Sequence, residues 1–441
     1  MDFSDLFKQS NQLCSLSHNG LHLANAVQYK LVVRDYKTLQ IVNLFTNLDA
    51  INAIEWSHDS QFVMCVLKKR GLVQVWSLEE PDWTCKIDEG SAGLVMSRWS
   101  PDSRHILTTS EFHLRMTVWS LTDKSVSYIK YPKDCLHGVD FTQNGKYMAL
   151  AERRDCKDCI SIFTCNTWQL LKHFELETDD LAGLKWSPDG EVLCVWESSL
   201  SYKVLLYSID GRLISSYSAY EHALGIKSLC WSPSGQFVAV GSHDQLLRVL
   251  NHMTWRCVTA FCHPVKLERK KKIVVYKECE EIRREPTDER FPSGPFFNTM
   301  TKYEIAKDDT VCLTDIKLDP KKANPKVGPS QISFSPDNRY IFSRNDNMPN
   351  ALWLWDVENI CQSALLVNIS TIKCVRWDPT QSRLALCTGN KKVYMWSPSG
   401  ALIVEVPIET DFCVSSLEWQ RDGKSLLLMS KDEMCVCYLQ E

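Results

Sequence analysis

Short apolar stretches alternate with compact polar turns along the whole chain. Typical stretches are Phe62-Val63-Met64-Cys65-Val66 and Phe237-Val238-Ala239-Val240, which are rich in β-branched and aromatic residues. Apolar runs of this length between turn residues predict β-strands rather than helices. No apolar run approaches the ~18 residues that cross a bilayer, so we expect no membrane segment.

The turns repeat one phrase, an aromatic residue followed by Ser-Pro-Asp-Gly. Its cleanest copy is Trp186-Ser187-Pro188-Asp189-Gly190, a type I turn signature in which proline presets φ. Copies open at positions 16, 56, 99, 141, 186, 231, 334, 377 and 419, so the intervals are 40, 43, 42, 45, 45, 103, 43 and 42 residues. About 20 residues after each phrase, another strand ends in an aromatic and a small polar residue, as in Val75-Trp76-Ser77. Each unit therefore reads as four short strands.

Four short antiparallel strands repeated every 40–45 residues are typical of a β-propeller blade, and the units resemble WD repeats. We therefore predict an all-β, WD40-type propeller spanning residues 1–441, with one closed ring of about nine four-stranded blades. Seven or eight blades with a degenerate repeat, or two unequal propellers, are the alternatives. The last unit stops one strand short, and we predict that an N-terminal strand at residues 3–8 closes it and removes an open edge.

Two departures from the WD-repeat pattern concern buried polar residues. The chain has no Gly-His dipeptide, and a third strand ends in Trp-Asp only at Trp355-Asp356. We therefore expect the buried hydrogen-bonded network of WD repeats to be incomplete, which leaves blade stability mainly to apolar packing.

The long interval of 103 residues contains one ordinary period and about 60 extra residues. We predict an insertion or irregular segment at residues 263–330. It contains the basic run from Arg269 to Lys272, the β-like Ile273-Val274-Val275-Tyr276 and a stretch rich in proline and glycine. Such a segment is either a solvated linker or a functional insertion.

Composition and motifs argue against catalysis. The 441 residues carry a net charge of −4, which favours neither nucleic acid nor anionic membrane as a partner. The 19 cysteines occur without a signal-peptide pattern, so we expect reduced, buried thiols in a cytosolic protein. The one C-x-x-C pair, Cys156 and Cys159, has no second pair at zinc-site spacing. We find no nucleophile or phosphate-binding motif and predict no enzyme, and no catalytic, cofactor or metal residues.

The predicted loops between second and third strands gather arginines on one rim of the ring. We take Arg70, Arg153, Arg154, Arg344 and Asp346 as candidate partner-binding residues. Arginine is enriched in protein interfaces and pairs well with carboxylates. This rim either binds an acidic or helical segment of a partner, or its arginines pair with neighbouring acidic residues.

Several strings resemble one subfamily of WD-repeat proteins, that of the centrosome and spindle pole. They begin at Lys69-Arg70-Gly71-Leu72, Cys85-Lys86-Ile87-Asp88, Ala151-Glu152-Arg153-Arg154, Gly225-Ile226-Lys227-Ser228 and Arg344-Asn345-Asp346-Asn347. The resemblance implies a non-enzymatic scaffold of the cytoplasm and cytoskeleton, located at centrosomes, centriolar satellites or spindle poles. It implies roles in anchoring microtubule minus ends, spindle assembly and cilium formation.

The same resemblance implies protein partners. They are a coiled-coil protein (the Msd1 protein in fission yeast, the synovial-sarcoma-X-breakpoint-interacting protein in vertebrates), the γ-tubulin complex and a minus-end-directed kinesin. Two alternatives remain from other classes: an RNA- or ribosome-associated propeller, suggested by the blade number and the lysine cluster, and a substrate receptor of a ubiquitin ligase.

Overall fold

Nine sheets of short antiparallel strands follow one another along the chain, and each contains one copy of the turn phrase. The computed structural model describes residues 1–134, 136–268, 273–284, 297–317, 319, 321, 325–407 and 411–439. Two short strands, β1 Asp2–Phe3 and β2 Phe7–Lys8, precede the first sheet. The nine sheets are the blades of one ring, numbered 1 to 9 in chain order.

Blades 1 to 5 have four strands each. Blade 1 consists of β3 Cys14–Leu16, β4 His22–Val27, β5 Lys30–Asp35 and β6 Ile41–Thr46. Blade 2 consists of β7 Ala53–Trp56, β8 Phe62–Leu67, β9 Leu72–Ser77 and β10 Thr84–Asp88. Blade 3 consists of β11 Met96–Trp99, β12 His105–Thr109, β13 Arg115–Ser120 and β14 Val126–Lys130. Blade 4 consists of β15 Val139–Phe141, β16 Tyr147–Arg154, β17 Lys157–Thr164 and β18 Leu170–Glu175. Blade 5 consists of β19 Leu181–Trp186, β20 Val192–Glu197, β21 Val204–Ser208 and β22 Leu213–Tyr217.

The insertion lies between blades 6 and 7. Blade 6 consists of β23 Ile226–Trp231, β24 Phe237–Ser242, β25 Leu246–Asn251 and β26 Cys257–Cys262. The insertion contains β27 Lys266–Glu268, β28 Val274–Arg284, β29 Phe297–Ile305 and β30 Thr310–Cys312. Blade 7 consists of β31 Pro329–Phe334, β32 Tyr340–Asn345, β33 Ala351–Asp356 and β34 Cys361–Val367. Blade 8 consists of β35 Cys374–Trp377, β36 Leu384–Cys387, β37 Lys392–Ser397 and β38 Gly400–Glu405. Blade 9 begins with β39 Ser416–Trp419, β40 Ser425–Met429 and β41 Glu433–Tyr438.

Helical structure is minor. Among the described residues it consists of three 3₁₀ turns, Lys68–Arg70, Gly90–Ala92 and Glu111–His113. In the part of the chain that the structure covers, no helix is long and apolar enough to cross a membrane.

Apolar side chains from neighbouring blades form the core. The described residues contain nine hydrophobic clusters, and each one joins two consecutive blades around the ring. The ninth cluster joins Leu23 and Tyr36 of blade 1 to Leu427 and Val436 of blade 9. The prediction of nine blades in one closed ring is therefore confirmed, and the alternatives with fewer blades or two propellers are wrong.

The N-terminal strands lie on the outside of blade 9. Asp2 and Phe3 of β1 pair with Tyr438 and Cys437 of β41, and β2 pairs with the start of the same strand. Phe3 packs against the apolar cluster between blades 8 and 9. The first and last strands of the chain thus share one sheet, and residues that are distant in sequence hold the ring closed.

The tryptophans that open the phrase join blades through their indole N–H groups. In four blades this group donates to the carbonyl of the residue before the phrase in the preceding blade, at 3.0 to 3.1 Å. The pairs are Trp56 Nε1 with Ser15, Trp99 Nε1 with Glu55, Trp377 Nε1 with Ser333 and Trp419 Nε1 with Arg376. Among the described residues, the equivalent indole N–H groups of Trp186 and Trp231 are buried without an acceptor. The repeated bond therefore accounts for tryptophan in four of the six blades that carry it.

The insertion between blades 6 and 7 contains strands that extend blade 7. Strand β28 pairs in parallel with β34, the outermost of the four strands of blade 7, and β29 pairs antiparallel with β28. Glu278 of β28 accepts a hydrogen bond from the Tyr394 hydroxyl of blade 8 at 2.8 Å, and Tyr303 of β29 donates to Asn368 Oδ1 at 2.5 Å. The hairpin therefore widens blade 7 and contacts blade 8. The basic run from Arg269 to Lys272 lies outside the described residues.

Candidate functional site

All five candidate partner-binding residues lie at the same end of their blades. We call this face, where second and third strands join, the upper rim. Arg70 belongs to blade 2, Arg153 and Arg154 end β16 of blade 4, and Arg344 and Asp346 lie at the end of β32 in blade 7. Three separate blades thus carry them, and each residue has its own set of neighbours.

The two residues of blade 7 hold blades together. Arg344 Nη1 donates to the carbonyl of Ile372, which precedes blade 8, at 3.0 Å. Asp346 accepts bonds from Lys227 Nζ of blade 6 and from the Ser330 hydroxyl, both at 2.5 Å. Burial raises the pKa of the Asp346 carboxyl, but the bonds from Lys227 and Ser330 outweigh it and hold this pKa below its usual range. These side chains act as structural links between blades 6, 7 and 8.

Arg70 and Arg153 also have acidic neighbours. Arg70 Nε lies 3.2 Å from Asp49 in an exposed pair, which contributes little to stability. Arg153 Nη1 lies 3.2 Å from Asp158, a fully buried carboxylate that also pairs with Lys133 at 2.9 Å. Asp158 Oδ2 further accepts the backbone N–H of Leu181 of blade 5 at 2.6 Å. Arg153 is therefore part of a buried network that links blades 4 and 5.

Arg154 is the most exposed of the four candidate rim arginines. Its side chain is 69% exposed, and its acidic neighbour Asp155, 3.8 Å away, is 91% exposed. Asp155 and Cys156 form the two-residue turn of the β16–β17 hairpin, both with φ above zero, as type I′ turns require. The guanidinium lies 5.8 Å from the ring centre of Tyr131. Arg154 is thus available to a partner.

Exposed apolar side chains occur at the upper rim of blades 3 and 4, and one of them, Tyr131, lies next to Arg154. We call this region the blade 3–4 corner; its members are Val95, Phe112, Leu114, Tyr131 and Leu136, all exposed. Phe112 and Leu136 are 87% and 89% exposed. Adjacent exposed apolar side chains of this size mark interaction surfaces in soluble proteins.

A groove of about 360 Å³ lies within the blade 3–4 corner. Its lining is largely apolar and includes Val95, Met96, Met116, Pro132, Leu136, Val139 and Leu150. Four charged or titratable residues also line it: Arg98, His113, Lys133 and Asp134. Two backbone bonds hold one wall in place, since Lys133 donates to the Ala151 carbonyl at 2.9 Å and Arg153 donates to that of Tyr131 at 3.2 Å. A groove with an anchored wall suits an inserted apolar side chain.

Sequence reasoning selected this rim for its arginines and missed the apolar residues. One signal was present: Phe112 lies in a predicted second-to-third loop between Glu111 and His113, where a large aromatic residue has no blade to pack against. Leu136 carried no such signal, because the folded chain alone shows that it lies beside the groove. The described residues contain no group of three or more His, Cys, Asp or Glu that could hold a metal ion.

Comparisons with known proteins agree with this architecture. A family model for "WD domain, G-beta repeat" matches residues 205–251. The chain is 54% identical to the WD repeat-containing protein WRAP73 of Mus musculus over 448 aligned residues, which cover 100% of this chain and 96% of that protein. This chain belongs to the WD-repeat protein family.

Two further matches extend over the whole chain. An uncharacterized WD repeat-containing protein of Schizosaccharomyces pombe is 24% identical and covers 100% of this chain and 93% of that protein. Among solved structures, the C-terminal WD40 domain of Sif2 aligns with a TM-score of 0.53 at 10% identity, covering 100% of this chain and 99% of that one. The last match supports the propeller fold. WD-repeat propellers are generally non-enzymatic scaffolds for protein–protein contacts, and this chain has the architecture of that class.

The buried polar network of WD repeats survives in part. In blade 7, the Ser343 hydroxyl lies 2.7 Å from both His263 Nε2 and Trp355 Nε1. In blade 3, Thr108 takes the place of this serine, accepting from Trp119 Nε1 at 2.8 Å and donating to Glu89. A carboxylate thus replaces the imidazole in blade 3.

Proposed function

We propose that this chain is a non-enzymatic scaffold of the centrosome, centriolar satellites or spindle pole, and that the blade 3–4 corner binds a helical segment of a coiled-coil partner. In this role it helps to anchor microtubule minus ends and supports spindle assembly and cilium formation. The chain's strings resemble WD repeat-containing protein eight, and its 54% identity to mouse WRAP73 over the full length supports a shared role. The partner is a coiled-coil protein of the Msd1 or synovial-sarcoma-X-breakpoint-interacting type, with the γ-tubulin complex or a minus-end-directed kinesin joining the assembly.

The observation that carries this proposal is the exposed apolar corner beside Arg154. A helix binds a groove through apolar side chains on one face, three or four residues apart. One such side chain enters the 360 Å³ groove while others cover Phe112 and Leu136. Coiled-coil helices carry glutamate beside their apolar seam, and Arg154 is exposed enough to pair with it. Shape and charge at this corner therefore fit a helical partner.

The test is loss of the partner from a variant that keeps its fold. In the double variant Phe112→Asn and Leu136→Ala, asparagine tolerates the left-handed backbone at position 112, where φ is 58°. We expect at least about tenfold weaker capture of the coiled-coil partner, as for a hot spot of 1.4 kcal/mol or more. The tagged variant should also lose its focus at the spindle pole, while its melting temperature stays unchanged.

The matched control is Leu170→Ala with Leu171→Ala, which removes two exposed leucines from β18 of blade 4. This control should bind and localise like the natural protein. Equal binding by both double variants would contradict the proposed docking site. A natural protein that stays diffuse throughout mitosis would contradict the centrosomal role itself.

The alternatives from the sequence, an RNA- or ribosome-associated propeller and a ubiquitin-ligase receptor, stay predictions. Salt-sensitive co-sedimentation with ribosomes would favour the first, since contacts to phosphates weaken steeply with salt. The net charge of −4 gives it no general support.

A further inference from the structure

The turn phrase changes in three blades that meet at the closure of the ring. The second residue after the aromatic is proline in blades 3, 5, 6, 7 and 8 and glutamine in blade 4; these residues are Pro101, Pro188, Pro233, Pro336, Pro379 and Gln143. Blades 9, 1 and 2 carry Arg421, His18 and His58 at the same position. Because blade 9 packs against blade 1, these three basic residues are neighbours on the face opposite the upper rim. We call this place the lower mouth.

The two imidazoles of the lower mouth lie against each other. The rings of His18 and His58 are stacked, with centres 4.9 Å apart and an interplanar angle of 23°. His18 Nδ1 lies 3.1 Å from the carbonyl oxygen of Ser57. A carbonyl oxygen can only accept, so Nδ1 donates, and Nε2 of a neutral ring keeps its lone pair. Protonation at Nε2 would add a donor without breaking the bond to Ser57.

A cavity of about 290 Å³ joins these groups. His18, His58 and Arg421 line it together with Glu55 and Glu418, which precede Trp56 and Trp419 on the innermost strands. The cavity thus has one basic side and one acidic side. Its volume exceeds that of a single anionic group, so a peptide segment has room to enter.

The charges around the cavity oppose the cationic form of the histidines. Burial lowers the pKa of both imidazoles; for His18 the neighbouring His58 and then Arg421 lower it further, and for His58 Arg421 does. Asp59 favours the cation at both histidines, and Asp102 does so at His58, but neither outweighs burial. Burial also raises the pKa of Glu55 to about 7 and that of Glu418 above its usual range. A bound anion would favour three positive charges here.

We propose that the lower mouth binds a phosphate group on a phosphoserine or phosphothreonine of a partner protein, through Arg421, His18 and His58, and that binding strengthens as the pH falls from 8 to 6. Arg421 supplies a forked donor pair, which suits phosphate oxygens. Each histidine that takes up a proton adds a charged donor, and protonation of Glu55 removes a repelling charge. All three proton uptakes therefore favour the anion. This inference does not rest on the proposed function, because the lower mouth is separate from the blade 3–4 corner.

The test is calorimetry with the full chain and small probes. The phosphorylated probe is a blocked Gly-phosphoserine-Gly tripeptide, with its unphosphorylated form for comparison. Sulfate serves as a second probe, since its charge stays constant between pH 6 and 8. We expect the phosphorylated tripeptide to bind and the unphosphorylated one not to bind. We expect sulfate to bind at least about tenfold more tightly at pH 6 than at pH 8, because uptake of one proton on binding changes the affinity by up to tenfold per pH unit.

Variants locate the site. Arg421→Gln introduces the residue type that blade 4 carries at this turn position, and His58→Pro introduces the residue of five other blades, so both should fold. Each should weaken binding at least about tenfold, as expected for loss of a charged hydrogen-bond partner. Gln143→Ala, at the equivalent position of blade 4, should change nothing. Three outcomes would each overturn the proposal: unchanged binding in both site variants, binding of sulfate without the phosphopeptide, or binding that weakens on acidification. Binding that weakens on acidification would assign the cavity to a cation held by Glu55 and Glu418.

Discussion

Blades 4 and 7 carry similar charged residues at the same position in the repeat, yet these residues have different roles. In blade 7, Arg344 and Asp346 bond to neighbouring blades, to the carbonyl of Ile372 and to Lys227. In blade 4, Arg154 is exposed and lies 5.8 Å from the ring centre of Tyr131, which precedes the groove residue Pro132. The difference arises from residues far along the chain that either meet the loop or leave it open. A rim position is therefore available for binding where the neighbouring blade supplies no partner.

Arg153 tests this comparison most severely, because it adjoins Arg154 in sequence but belongs with the structural residues. Asp158→Ala would leave Lys133, whose side chain is 6% exposed, and Arg153 with only the half-exposed Asp180 as counter-ion, and the N–H of Leu181 without its acceptor. We expect a loss of about 3 kcal/mol in the free energy of unfolding, since the buried side of the ion pair and a buried hydrogen bond are lost while Asp180 still pairs with both cations. Urea unfolding measures it.

Asp155→Ala is the control for that variant. Asp155 is 91% exposed, and we expect a change within about 0.5 kcal/mol. Equal unfolding midpoints for the two variants would show that the Asp158 network does not hold blades 4 and 5 together.

Lys227→Met tests the blade 7 side of the comparison. The change removes the ion pair with Asp346 and the bond from Nζ to the Val327 carbonyl, 2.9 Å long. We expect a loss of about 1–3 kcal/mol, as for a half-buried carboxylate deprived of a charged donor. Thermal or urea unfolding at pH 7 measures the loss.

The difference in stability between the natural protein and Lys227→Met should depend on pH in a defined direction. The pKa of Asp346 in the folded protein lies below its usual value, so its stabilising contribution is present above about pH 4, the unfolded value, and is lost as the pH falls further. The gap between the natural protein and Lys227→Met should therefore narrow below about pH 4. A gap that widens on acidification would contradict the assigned ion pair.

Much of the fold followed from the sequence because its determinants are local. The phrase from Trp186 to Gly190 contains both its turn and its packing aromatic, so the phrases locate all nine blades. The parallel pairing of β28 with β34 could not be predicted from the sequence, since the pairing of an inserted strand does not change the spacing of the turn phrases. The partner of Asp346 lies 119 residues away, and no spacing rule links the two. The apolar corner was missed because exposure of Leu136 depends on the folded neighbours.

Arg344→Ala is expected to have a smaller effect than Lys227→Met. It removes one hydrogen bond to a backbone carbonyl at 3.0 Å and the charge interaction with Asp346, which keeps its bonds from Lys227 and Ser330. We expect a loss of about 1 kcal/mol and unchanged capture of the coiled-coil partner. If Arg344→Ala captured less of the coiled-coil partner without losing stability, Arg344 would be a binding residue. Blades 4 and 7 would then differ less than proposed.

Arg154→Ala should change stability least and binding most selectively. The pair with Asp155 is largely exposed, so its loss should alter the free energy of unfolding by less than about 0.5 kcal/mol. Partner capture should fall by about three- to tenfold, which corresponds to one exposed charged contact at an interface rim. Arg154→Lys should fall between the two, because lysine keeps the charge but cannot form a forked pair with a carboxylate. If Arg154→Ala binds fully while the double variant Phe112→Asn and Leu136→Ala loses binding, the corner recognises its partner by apolar shape alone. The arginines would then have no part in binding, although they are the residues that single out this rim in the sequence.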